Sequence, residues 1–95
     1  MPKGLRFQWD SRKSLKNKGK HNVSFEEAAQ VFGDSMAITI QDPDHGNDDE
    51  IREITIGQSG KNRILAVSST ERDGAIRIIS ARKAEKHEIN QYNER

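Results

Sequence analysis

Five charged residues fall close together late in the sequence: Glu71, Arg72, Arg77, Arg82 and Lys83. Early in the chain, Lys20 and His21 are adjacent. Residues of these types can cut a phosphodiester without a metal. A base takes the proton from a 2′-hydroxyl, and an acid protonates the departing oxygen. Cations stabilise the charge that builds on the five-coordinate phosphorus. The candidate proton carriers are Glu71, His21, His45 and Tyr92, and the candidate cations are Lys20, Arg72, Arg77, Arg82 and Lys83. The rings of Trp9 and Tyr92 could stack an unpaired base. Each residue also has a plainer reading. A lone tryptophan is more often core, and His21 can serve a helix C-terminus, where a cation is favoured. Tyr92 can pack its ring on a sheet. Glu71 and Arg72 can be a surface pair of little energetic weight.

The acidic run Asp42, Asp44, His45, Asp48 and Asp49 lacks the spacing of a calcium hand and its closing glutamate. No metal site is expected, and no cofactor. The chain has no cysteine, which excludes disulfides and thiolate ligands. No stretch approaches the roughly 20 apolar residues of a membrane helix. Residues 1–20 lack the apolar centre of a signal peptide, so a cytoplasmic protein without membrane contact is expected.

The 95 residues suit one domain, 1–95. Net charge is only +1, but its distribution is uneven. Seven Lys or Arg stand against one acid between Met1 and Lys20, whereas six acids stand against one Arg between Asp42 and Glu53. Such asymmetry suggests a surface that faces a polyanion and is balanced elsewhere. Lys13 and Lys16 belong to the basic run, which reads as an RNA-docking surface.

These residues need elements to place them. Leu5 to Trp9 alternates apolar and polar positions, as a short strand does. Asp10 suits the N-cap of a helix over Ser11–Lys20, with Leu15 its main apolar anchor and Asn22 its left-handed stop. Ser24 to Glu27 forms a capping box, and Val23 can staple onto Ala28. Phe25, Ala28, Ala29 and Phe32 share one face of a second helix ending at Gly33. The period then changes from 3.6 to 2. Strands are expected over Met36–Gln41, Ile51–Gln58, Arg63–Thr70 and Ala75–Ala81, joined by an acidic loop and by turns at 59–62 and 72–74. A last helix is expected over Arg82–Asn93, carrying Ala84, Ile89 and Tyr92. Clustered strands with short links indicate an α+β fold: an antiparallel β-sheet meander flanked by two N-terminal helices and one C-terminal helix. Regular alternation puts Arg77 and Arg82 on opposite faces, so a cluster containing both needs a bulge or a bend.

The ordered motifs resemble the BrnT toxins. Trp9-Asp10, Lys13, Asn17, Lys20-His21 and Val23-Ser24-Phe25-Glu26-Glu27-Ala28 are similar to their N-terminal half. So is Asp42-Pro43-Asp44-His45 to their acidic loop. Thr70-Glu71-Arg72, the run from Arg77 to Ala84, and Tyr92 resemble the C-terminal half. The likeness runs from about Phe7 to Tyr92. It departs at Ser11, where proline is common, and at Asn22, where glycine is common. The resemblance implies a RelE-like fold and an RNA endonuclease that blocks translation. It implies a DNA-binding antitoxin, BrnA, which neutralises the toxin, the complex then reaching operator DNA. It also implies that Lys20, His21, Glu71, Arg72, Arg77 and Arg82 act in catalysis, with Tyr92 behind them. Trp9, Lys13, Lys16 and Lys83 are then expected to bind RNA. The alternative is a silent nucleic-acid-binding or regulatory module on the same fold.

Overall fold

The computed structural model describes residues 4–43 and 50–94. Its elements in chain order are β1 (Phe7–Gln8), α1 (Ser11–His21), α2 (Phe25–Gln30), β2 (Ile38–Gln41), β3 (Arg52–Gln58), β4 (Ile64–Arg72), β5 (Ala75–Lys83) and α3 (Lys86–Glu94). A 3₁₀ turn, Val31–Gly33, extends α2. The acidic loop lies largely outside the described residues, His45 included.

The sheet order is β1-β5-β4-β3-β2. Strands β2 to β5 form the expected antiparallel meander. β1 changes its character, because it pairs parallel to β5, with Phe7 opposite Ile76. The sheet is therefore mixed. This needs no short crossover, since all the intervening helices and strands separate the two partners.

Local chemistry sets most boundaries. The Asp10 carboxylate accepts from the Arg12 and Lys13 amides and caps α1. Asn22 closes it at φ 60°. The Asp73-Gly74 turn has φ of 53° and 76°, as the tight turn of a twisted hairpin requires.

Three expectations are corrected. Leu15 is 74% exposed and does not anchor α1. Polar side chains do so instead. Asn17 Nδ2 donates to the Val23 and Ala81 carbonyls at 2.8 Å each, and its Oδ1 accepts from the Ala81 amide at 3.2 Å. Ser14 Oγ accepts from the Phe25 amide. Second, Ser24 Oγ does accept from the Glu27 amide, but the Glu27 carboxylate does not complete the box. Ser59 and Arg63 take it. Third, Arg82 and Lys83 belong to β5 and not to the last helix, because pairing with β4 runs on to Lys83 opposite Leu65.

Helices cover both faces of the sheet in part. α1 and α2 pack on one face, where Val23, Phe25, Ala28, Ala29 and Val31 meet Leu65, Val67, Ile78 and Ala81. On the other face Tyr92 of α3 packs with Ile56 and Ala66. The half of the sheet nearer the Asp73-Gly74 turn is less covered on both sides, and pockets open there.

Candidate nucleic-acid interface

The bulge that Arg77 and Arg82 require is present in β5. Ser68 pairs with Ser80 and Ser69 pairs with Ile78, so Ile79 has no partner across the strand. One extra residue shifts the alternation by one step. Arg77 stands opposite Thr70 and Arg82 opposite Ala66. Those partners are four apart on β4, so they share a face. Both arginines therefore belong to the α3 face, about 13 Å apart along the strand. Ile78 and Ala81 stay in the core on the other side.

β3 adds a third arginine to this face, and Arg72, two residues beyond Thr70 on β4, is a fourth by the same alternation. Arg52 pairs with Thr70 and so lies in the same cross-strand row as Arg77. A groove of about 250 Å³ opens between Arg52 and Arg82, with Asp42, Ser68, Ser80 and Ile79 along it and Ile54 and Ala66 beneath.

The four cations are held differently. Arg82 donates to both oxygens of Glu88, at 2.7 and 3.0 Å. Glu88 is only 5% exposed. Hydrogen bonds from Arg82 outweigh burial and hold the Glu88 carboxyl below its ordinary range. Glu88 also accepts from the Glu85 amide at 2.8 Å, which fixes the first turn of α3. Arg52 meets Glu50 at 3.3 Å, and Arg72 meets the other Glu50 oxygen at 3.3 Å. Exposed pairs of that length are weak. Arg77 makes no ion pair among the described residues.

The other expected site residues fall into separate places. Tyr92 lies in the row of Arg82, but its hydroxyl donates to Asp34 Oδ2 at 2.5 Å. Lys20 and His21 close α1 on the opposite face. Bonds from Asn17 to Ala81 and from Arg63 to the Asn22 carbonyl hold that turn near Lys83. Glu71 pairs with Ile76 and lies on the α1–α2 face too, but near the far end of β4. From Leu65 to Glu71 the strand runs about 20 Å. Glu71 is thus not brought together with His21, nor with Arg77 and Arg82. Trp9 packs edge-on against Phe25, with ring centres 6.4 Å apart, and lines a shallow hollow with Leu15 and Lys18. Lys13 and Lys16 are exposed on α1.

Sequence reading missed Arg52, Ser68, Ser80 and Glu88. Arg52 is hidden by its acidic neighbours. Glu88 sits at the third position of α3, a place hidden in the sequence because the expected helix began at Arg82. His87 was also missed; its ring and the carboxylates of Glu85 and Glu88 lie within 4.8 Å of one another.

The fold and site define a small α+β protein with Arg52, Arg72, Arg77 and Arg82 on one face of a mixed sheet. The chain is a member of the BrnT family, the ribonuclease toxins of type II toxin–antitoxin systems, whose sequence model matches residues 9–88. Membership implies an antitoxin partner. The fold is similar to the 1.1 Å crystal structure of the Brucella abortus ribonuclease toxin BrnT. The TM-score is 0.64 and the identity 24%, over 86% of this chain and 99% of that one. Among curated proteins, none matches the chain.

Proposed function

We propose that this chain is a metal-independent RNA endonuclease on a RelE-like domain, and that it inhibits translation until a DNA-binding antitoxin of the BrnA type neutralises it. The observation that carries the reading is the Ile79 bulge, which sets Arg77 and Arg82 on one open face with Arg52. Pre-placed guanidinium groups suit a transition state that gains charge on phosphate oxygens. Arg77 supplies the unpaired cation. Arg82 is aimed by Glu88. The α1 lysines lie on the other side of β5, so an RNA strand that touches both surfaces wraps the β1–β5 edge. Lys13, Lys16, Lys83 and Trp9 then dock the strand away from the cut.

The reaction also needs a proton carrier. His87 lies on the helix over the arginine face and His21 on a helix over the other face. A binding module without cleavage is the second reading. It is favoured by one observation: carboxylates already hold Arg52 and Arg82.

The test is cleavage of RNA by purified protein in excess chelator, with the cyclic phosphate product followed. Arg77→Ala and Arg82→Ala are each expected to lower the rate about 100-fold. A pH–rate profile of His21→Ala and His87→Ala separates the two proton carriers. No cleavage in chelator by the unaltered protein sinks the enzyme reading. Full activity in both arginine variants sinks the site.

A further inference from the structure

The α1–α2 face carries a second surface with the opposite character. Beyond α2 the sheet opens into a groove of about 1000 Å³. Its apolar part is Phe32 and Ile76, with Leu5 and Ile51 at the rim, 42% and 62% exposed. Its charged lining is mainly acidic: Glu53, Glu71 and Asp73 join Glu50, Arg72 is the one cation among the described lining residues, and Arg6 donates to the Asp73 carbonyl at the rim, at 2.9 Å. Glu50 is shared between Arg52 and Arg72. Glu53 and Glu71 enter no ion pair among the described residues.

This chemistry selects its occupant. An RNA backbone is repelled by like charge, so the groove is not a continuation of the arginine face. A wholly apolar ligand would leave the carboxylates facing it without a partner. A chain with apolar side chains on one side and lysines or arginines on the other satisfies both parts, in the manner of a helix laid in a groove. The volume is enough for several side chains of such a segment.

We propose that this groove receives a basic amphipathic segment of the antitoxin. The proposal rests on membership of a toxin–antitoxin family, not on the cleavage reading. It makes Glu53, and Glu71 beside it, partner-facing residues. It also separates the partner from the cut: the partner seats on the α1–α2 face near the Asp73-Gly74 turn, and the arginines that meet the scissile phosphate lie on the other face.

A second copy of this chain is the rival occupant. α1 is itself basic and exposes Leu15 at 74%. A contact of α1 with the groove would be head-to-tail, however, and would run on into open assemblies unless the rotation closed.

The experiment titrates the purified toxin with the antitoxin encoded beside it. Glu53→Lys is compared with Glu26→Lys, which makes the same charge change on the exposed side of α2. Glu53→Lys is expected to weaken antitoxin binding at least about tenfold, and Glu26→Lys by less than about threefold. RNA cleavage in chelator is followed on the same samples and is expected to persist in Glu53→Lys. Equal antitoxin affinity in both variants overturns the groove while leaving the ribonuclease reading intact. So does an antitoxin that fails to bind the unaltered toxin. Self-association of the toxin alone that Glu53→Lys abolishes assigns the groove to a second copy and overturns the proposal. An inactive toxin that still loses its antitoxin through Glu53→Lys supports the groove and removes only the cleavage reading.

Discussion

Arg82 of β5 and Glu88 of α3 meet fork to fork, at 2.7 and 3.0 Å. The guanidinium has five N–H donors, and Glu88 engages two nitrogens without exhausting them. Arg82 is therefore oriented and still able to meet a phosphate. Glu88→Gln removes the competing charge and keeps the shape. RNA binding, measured by anisotropy at low salt, is expected to tighten several-fold, and cleavage per bound complex to slow because Arg82 is less firmly aimed. Unchanged binding and unchanged cleavage together would mean that Arg82 does not meet the substrate.

Acid is expected to destabilise the fold through two carboxylates. Glu27 is held below its ordinary value first by its hydrogen bond from Arg63, burial opposing, with Ser59 adding to the effect. Glu88 is lowered by Arg82 in the same way. A group with a depressed folded pKa stabilises above its unfolded value, and that contribution is lost as pH falls through the folded value. Stability to urea should thus be level above about pH 5 and decline below the ordinary carboxylate range, near 4.5. Glu27→Gln should flatten the decline as well as lower the plateau. A decline of the same steepness in that variant assigns acid sensitivity elsewhere.

α1 offers a contrast between a buried polar residue and an exposed apolar one. Asn17→Ala leaves the Val23 and Ala81 carbonyls and the Ala81 amide without their partner. The expected cost is about 3 kcal/mol. Leu15→Ala, at a site 74% exposed, should change stability by less than about 0.5 kcal/mol. Urea titrations of both check the order, and a larger loss from Leu15→Ala contradicts the polar anchoring of α1.

Gly57 lets the 3₁₀ turn approach β3 closely. A Cβ there would stand 2.9 Å from both Ala37 Cβ and Val31 Cγ1. Gly57→Ala is expected to cost about 2 kcal/mol through overpacking. It should leave RNA affinity unchanged, since the residue faces away from the arginines. Thermal unfolding and anisotropy together test both halves.

Much of the fold was legible because it is written locally. Asp10, Asn22, Ser24 and the Asp73-Gly74 turn act through neighbours in sequence and are legible there, although at Ser24 only the N-cap half of the expected box forms. The period of 2 gave the four meander strands. What stayed hidden is carried by distant partners. Asn17 finds Ala81 and Glu27 finds Arg63, bonds that no spacing rule announces. β1 pairs with a strand almost seventy residues away. Of the candidate site, Arg77 and Arg82 were named, with the bulge they need. Their company was not: Arg52 and Glu88 join that face by register, and Glu71 leaves it by the same rule. Tyr92, named for catalysis, has its ring on the sheet as its plainer reading has it.

The extra residue at Ile79 ties two kinds of selection together. The register that buries Ile78 and Ala81 is the one that turns Arg77 and Arg82 outward. A slip by one position would drive Arg77 into the hydrocarbon interior beside Phe7 and Phe32. Purifying selection on folding alone therefore preserves the geometry of the arginine face. A descendant that had lost its toxicity would still display that face, with other side chains on it, and its inheritance would be read in residue type and not in backbone shape.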